Sequence, residues 1–96
     1  MSNLYIAESG AGASEVSPAA FDVRGLVEQN VTFTTAAESA VFAATTRIVR
    51  LRADAACHVE FGTSPSATTS NMPLTADTDY DFIVGPGYRV SVVQAA

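Results

Sequence analysis

The chain has 96 residues, of which 48% are hydrophobic and only 16% are charged, and its formal net charge is −5. All five basic residues are arginine, against ten acidic residues. A nucleic-acid-binding surface needs basic side chains to neutralise phosphates, and binding to an anionic membrane surface needs them as well, so this charge balance argues against both partners.

The length fits one domain, and we predict a single β-sandwich domain over residues 1–96. The single cysteine, Cys57, excludes an internal disulfide. The first residues lack the charged and apolar regions of a secretory signal. No apolar run reaches the ~18 residues of a membrane-spanning helix. We therefore expect a soluble protein that is made in a cytoplasm.

The first quarter of the chain combines short strand patterns with a segment of small residues. The apolar run at residues 4–7 favours a strand. Residues 9–20 include two glycines and a proline, which is typical of a loop or an extended arm. We therefore interpret residues 1–20 as a candidate extended N-terminal arm. The alternation over residues 21–26 suits a short edge strand.

The clearest isolated strand pattern covers residues 29–35, where Val31 and Phe33 share one face and threonines share the other. The alanine-rich stretch that follows has weaker signals. We interpret it as a turn at residues 36–39 and a strand at residues 40–43.

Two alternating runs in residues 47–61 face each other across a short turn and predict a central hairpin with one buried face. A three-residue loop would set Leu51 opposite Val59 on the buried side. The same register would set Arg50 opposite Glu60 on the polar side. A two-residue loop would mix the faces, so the register argues against it.

The remaining third begins with a polar loop at residues 62–71, which is either a binding loop or an ordinary surface loop. Pro73 lies in a short strand at residues 72–76 and suits a sheet edge. A second hairpin is predicted over residues 80–92, because two alternating runs flank the Gly-Pro-Gly turn at residues 85–87.

The spacing of these patterns predicts an all-β fold, an antiparallel β-sandwich (jelly-roll-like) of about seven to nine short strands. An immunoglobulin-like sandwich also fits, although tryptophan and a cysteine pair are missing from the sequence. The predicted core contains Val31, Phe33, Val49, Leu51, Val59, Phe61, Leu74, Phe82, Val84, Val90 and Val92.

The residue types that carry catalysis or bind metals are scattered. His58 is the only histidine and lies on the polar face of its predicted strand, whereas Cys57 lies on the apolar face. Asp77, Asp79 and Asp81 alternate as in oxygen-ligand calcium loops, but the glycine and the final glutamate of that pattern are missing. We therefore predict no catalytic, cofactor-binding or metal residues, no cofactor and no enzyme activity.

Four stretches carry a resemblance to a known group of proteins. They are Thr-Arg-Ile-Val-Arg-Leu-Arg-Ala-Asp-Ala-Ala-Cys-His-Val-Glu-Phe-Gly (46–62), Pro-Ser-Ala-Thr (65–68), Pro-Leu-Thr-Ala (73–76) and Gly-Pro-Gly-Tyr-Arg-Val-Ser-Val (85–92). Together they cover about half of the chain. This half resembles the small structural proteins of tailed bacteriophages, and in particular the head decoration, or cement, proteins.

The resemblance implies a structural role in the virion. A protein of this kind is made in the host cytoplasm, binds the outer surface of the assembled head and stabilises contacts between major capsid protein subunits. The resemblance also implies a homo-oligomer, either a dimer or a trimer. The alternative is another virion component, such as a head-fibre or tail-associated protein, or a β module that binds a receptor or a carbohydrate. The loop at residues 62–71 lacks the aromatic residues expected of such a module.

Overall fold

The computed structural model describes residues 2–9 and 27–95, which form eight β-strands and no helix. Two four-stranded sheets contain these strands, in the orders β2-β1-β4-β7 (sheet A) and β3-β8-β5-β6 (sheet B). All neighbouring strands are antiparallel. The strands are β1 (Ser2–Ser9), β2 (Val27–Phe33), β3 (Ala36–Glu38), β4 (Ile48–Ala53), β5 (Cys57–Gly62), β6 (Met72–Leu74), β7 (Asp79–Ile83) and β8 (Arg89–Gln94).

This architecture confirms the predicted all-β fold, the antiparallel sandwich and the number of strands. The jelly-roll-like topology stays a prediction. The edge position of Pro73 is confirmed, because its strand, β6, pairs only with β5 among the described strands. A proline cannot donate a ladder hydrogen bond, so an edge strand tolerates it best.

Alternate residues of both sheets point inward and form one hydrophobic core. Nine of the eleven predicted core side chains are buried. The other two, Phe61 and Phe82, are half-buried and pack against the core with their ring centroids 4.9 Å apart. The core also contains Leu4, Ile6, Phe42, Ala53 and Cys57.

The predicted hairpin over residues 47–61 is wrong. Its first strand, β4, pairs with β1 and β7 in sheet A. Its second strand, β5, pairs with β6 and β8 in sheet B. Residues 54–56 therefore cross from one sheet to the other. Leu51 lies beside Ile6 and Tyr80 within sheet A instead of beside Val59.

The second predicted hairpin, over residues 80–92, is wrong for the same reason, because β7 belongs to sheet A and β8 to sheet B. The turn itself is present, and Gly87 has a φ of 79°, which suits glycine. Alternating apolar residues are buried equally well when two strands lie side by side as when they face each other across a core. The sequence pattern therefore does not distinguish these arrangements.

One further local prediction needs correction, and another lies only partly within the described residues. In the stretch after β2, the predicted turn at residues 36–39 contains a strand, Ala36–Glu38. Residues 40–43, which were predicted as a strand, are irregular. The predicted arm, 1–20, overlaps β1, which lies between β2 and β4 inside sheet A. The rest of the predicted arm and the predicted strand at residues 21–26 lie outside the described residues.

The crossing between sheets can be tested through Arg50. Its Nε and Nη2 atoms donate hydrogen bonds of 2.8 and 3.0 Å to the two carboxylate oxygens of Asp81. Both side chains are more than a quarter exposed, so we expect a coupling of about 0.5–1 kcal/mol in a double-mutant cycle with alanine, measured by urea denaturation. The hairpin would instead have joined Arg50 to Glu60. A cycle for that pair should be additive, and a coupling there would support the hairpin.

Candidate functional site

The outer faces of the two sheets differ, because a loop of the chain covers one of them. Residues 63–71 fold over sheet B. The backbone N–H groups of Ser66 and Ala67 donate hydrogen bonds of 2.8 Å to Glu60 Oε1 and 2.9 Å to Ser91 Oγ. Ser91 is only 6% exposed as a result. The polar loop predicted from the sequence is therefore anchored on its own sheet.

This loop also holds the only histidine. His58 Nδ1 lies 2.9 Å from the backbone oxygen of Asn71, and the His58 side chain is half-buried. Asn71 Nδ2 donates a hydrogen bond of 3.3 Å to the other carboxylate oxygen of Glu60. The predicted polar-face position of His58 is correct, but this face lies against the loop instead of being fully open to solvent.

Most outward side chains of sheet A are exposed or half-buried in the described part of the chain, and Ser9, at the end of β1, is the exception at 7% exposure. We call the outer surface of sheet A the open face. It comprises the outward-pointing residues of β2, β1, β4 and β7, and two of its rows cross all four strands. One row is Asn30, Tyr5, Arg52 and Asp79, and the other is Glu28, Ala7, Arg50 and Asp81.

Apolar groups lie among these polar rows. Tyr5 is 46% exposed in the middle of the open face, and Ile83 is 86% exposed at its β7 edge. Ala7 leaves a gap between Glu28 and Arg50, and a shallow groove of about 370 Å³ lies there. An aromatic side chain, a fully exposed isoleucine and a groove on one sheet face are features of protein-binding surfaces.

The charges of the open face are balanced locally. Arg52 lies 3.1 Å from Asp79, beside the pair of Arg50 with Asp81. The hydrogen bond with Asp81 raises the pKa of Arg50, which keeps this guanidinium charged. Neither sign dominates the centre of this face, so it suits a protein surface better than a polyanion.

Comparison with known proteins identifies no relative. No family model, no curated protein and no solved structure matches this chain. The resemblance to phage structural proteins therefore rests on residues 46–92. In the structure these residues form the strands and connections from β4 to β8, and the loop at residues 65–68 is part of the cover of sheet B.

The residues considered for chemistry lie apart from one another. Asp79 and Asp81 belong to the open face, whereas His58 lies on the opposite side of the sandwich. Within residues 2–9 and 27–95, no group of three or more His, Cys, Asp or Glu residues is arranged to hold a metal ion. The described residues also contain no helix that could span a membrane.

Cys57 is a buried member of the core with 1% exposure. Burial, together with the negative charge of Asp54, raises the pKa of its thiol to about 11. The thiol is therefore protonated at neutral pH and is a poor nucleophile there. Its position agrees with the apolar face predicted for it.

One buried polar centre, at Glu8, was not predicted from the sequence. This side chain is 1% exposed. Its carboxyl oxygens accept hydrogen bonds of 2.8 Å from Ala43 N, 2.7 Å from Thr46 Oγ1 and 2.9 Å from Gln29 Nε2. These bonds join β1 and β2 to the irregular segment before β4. The signal was present, because Glu8 has the same alternation phase as Leu4 and Ile6.

Proposed function

We propose that this protein is a bacteriophage capsid decoration (cement) protein. It binds the outer surface of the assembled head and stabilises contacts between major capsid protein subunits. The observation that carries this proposal is the asymmetry of the sandwich. The outer face of sheet B is covered by the chain's own loop, whereas the open face presents Tyr5 and Ile83.

The residues of the open face suit attachment to a folded surface. Tyr5 combines a large apolar area with a polar tip, and Ile83 adds a fully exposed apolar group at the edge. The arginine–aspartate pairs on either side can exchange partners with charges of the shell, which favours one orientation of docking. The negative net charge supports an external position and opposes contact with packaged DNA.

Stabilisation of the shell follows from linkage. A protein that binds the assembled shell but not the separate subunits stabilises assembly by RT ln(1 + [L]/Kd) per site. At a free concentration of about a hundred times Kd, each site contributes about 2.7 kcal/mol. Many sites on one shell would add their contributions, so a small protein with moderate affinity can act as cement.

The test is co-sedimentation of the purified protein with expanded and unexpanded shells of its own phage. We expect saturable binding to expanded shells at a fixed ratio to the major capsid protein, together with a higher melting temperature of the shell. Absence of binding to both shells would refute the proposal and would direct attention to a tail or fibre position.

A pair of variants identifies the surface used. Ile83→Asp places a charge on the open face and should weaken shell binding roughly tenfold or more. Thr69→Asp is the control for the added charge, because Thr69 is exposed in the loop that folds over the other sheet. It should bind as the unmodified protein does. Equal affinities of the two variants would exclude the open face as the docking surface.

A further inference from the structure

Among residues 2–9 and 27–95, the edges of the two sheets differ in how they are protected from other chains. Unpaired edges present free peptide groups, and proteins usually blunt them with short strands, proline or charges. The sheet B edges, β3 and β6, have three residues each, and β6 contains Pro73. The β7 edge carries Asp79 and Asp81 in five residues. The β2 edge has seven residues and pairs only with β1 among the described strands.

The seven residues of β2 carry none of the usual protective features themselves. Their sequence, Val-Glu-Gln-Asn-Val-Thr-Phe, contains no proline and no lysine, and Glu28 is the only charged residue among them. Seven residues exceed the usual strand of five or six, so this edge is long enough to hold another strand. It is therefore a ready acceptor for strand addition.

We propose that β2 pairs antiparallel with β2 of a second copy of this chain. A two-fold axis passes through the pair formed by Asn30 and its symmetry mate. The two A sheets then form one continuous eight-stranded sheet across the dimer. This pairing is independent of the proposed cement function, because it requires only the chain itself.

The β2 sequence is self-complementary in this register. Two-fold antiparallel pairing sets each residue opposite the one at the same distance on the other side of the axis. Outward side chains then meet outward ones and inward side chains meet inward ones, as the pleat requires. No like charges meet. The resulting pairs are Asn30 with Asn30, Glu28 with Thr32, Gln29 with Val31 and Val27 with Phe33.

Exposed apolar side chains lie on the same side of the sandwich. Val27, at the start of β2, is 41% exposed. Gln29 exchanges hydrogen bonds of 3.0 and 3.4 Å with the backbone of Ala40, which holds the following residue, Val41, beside β2. Val41 is 46% exposed. A second copy on the β2 edge would remove water from Val27, which adds apolar burial to the strand pairing.

The dimer would also change the shape of the open face. Because the open face is the outer surface of sheet A, joining two A sheets places two open faces side by side. Two docking surfaces held in one plane convert the second attachment into an intramolecular event, which raises overall avidity.

The register is tested by disulfide crosslinking of the full chain. In the proposed dimer, Asn30→Cys sets two cysteines directly opposite each other, within the roughly 4.4–6.8 Å between Cα atoms that a disulfide needs. Glu28→Cys is the matched control, because its two copies would be offset by four residues, or about 14 Å along the strands. Under an added oxidant, we expect Asn30→Cys to form a covalent dimer and Glu28→Cys to remain uncrosslinked.

The unmodified protein is the control for Cys57, which is buried and should not crosslink. If sedimentation shows a dimer but Asn30→Cys and Glu28→Cys crosslink equally, the proposed register is wrong. A protein that is monomeric at every concentration tested would overturn the proposal as a whole.

Charge variants test the same pairing through the dissociation constant of the dimer. Thr32→Glu would oppose Glu28 of the second copy twice and should weaken the dimer roughly tenfold or more. Thr32→Lys loses the same Thr32–Asn3 hydrogen bond but should keep or tighten the dimer. Glu28→Lys combined with Thr32→Glu restores opposite charges and should restore dimerisation.

Thr69→Glu, in the exposed loop on sheet B, adds the same negative charge far from β2 and should leave the dimer unchanged. Equal weakening by Thr32→Glu and Thr69→Glu would indicate a general charge effect and would overturn the β2 pairing. If the protein dimerises through β2 but does not bind the shell, only the cement function is contradicted.

Discussion

Replacing Phe33 with alanine is expected to lower the free energy of unfolding by about 3–5 kcal/mol. Phe33 is 1% exposed and is the largest fully buried side chain among the described residues. Phe33 is the last residue of β2 and points into the core between the two sheets. Its removal leaves a cavity there that the surrounding strands fill only in part. A domain of this size is stable by about 5–15 kcal/mol, so the variant should be near the limit of folding.

Urea denaturation at a fixed protein concentration measures this effect, since self-association would make apparent stability depend on concentration. Phe33→Leu keeps most of the volume and should cost less than about 1.5 kcal/mol. Thr34→Ala changes the next, exposed residue and should be close to neutral. A loss below about 1 kcal/mol for Phe33→Ala would show that Phe33 does not lie in the core.

The sequence pattern indicated which side chains of each strand point inward and which point outward. It did not indicate which strands pair with each other. Val49, Leu51 and Val59 were assigned to the buried side correctly. Their alternation, however, is the same whether β4 and β5 share one sheet or face each other. Whether β4 can pair with β5 depends on β1, because β1 occupies a side of β4 where a hairpin partner could lie. Contacts between distant parts of the chain decide the pairing, and no local pattern contains them.

The candidate site depends on the same long-range contacts. Tyr5 and Ile83 could be assigned to outward faces from their neighbours, since they alternate with Leu4, Ile6 and Phe82. The sequence does not indicate which outer face stays exposed, because that follows from the loop at residues 63–71 folding onto sheet B. Phe42 was missed as a core residue because it is buried from an irregular segment without periodicity.

Replacing Glu8 with alanine is the second change with a large expected effect, about 3 kcal/mol or more. The carboxyl group is buried and accepts hydrogen bonds from Ala43 N, Thr46 Oγ1 and Gln29 Nε2. Alanine leaves the Ala43 amide and the Thr46 hydroxyl without an acceptor, while Gln29 Nε2 keeps only its bond to Ala40 O, and each unsatisfied buried group costs about 1–3 kcal/mol. The amide of Ala43 should also exchange with deuterium faster, because its hydrogen bond is lost.

Exchanging the acid and amide groups of Glu8 and Gln29 distinguishes the contribution of their hydrogen bond from that of packing. Glu8→Gln keeps the shape but turns an amide N–H2 towards the N–H2 of Gln29, so we expect a loss of about 1–3 kcal/mol. Adding Gln29→Glu restores an acceptor opposite that amide but removes the hydrogen bond of 3.4 Å to Ala40 O, so the double variant should recover part of the loss. Glu28→Gln, on the exposed outer face, should be nearly neutral. The Gln29→Glu single variant includes the cost of losing the bond to Ala40 O, and if the double variant loses as much stability as the two single variants together, the hydrogen bond between Glu8 and Gln29 does not explain the burial of Glu8.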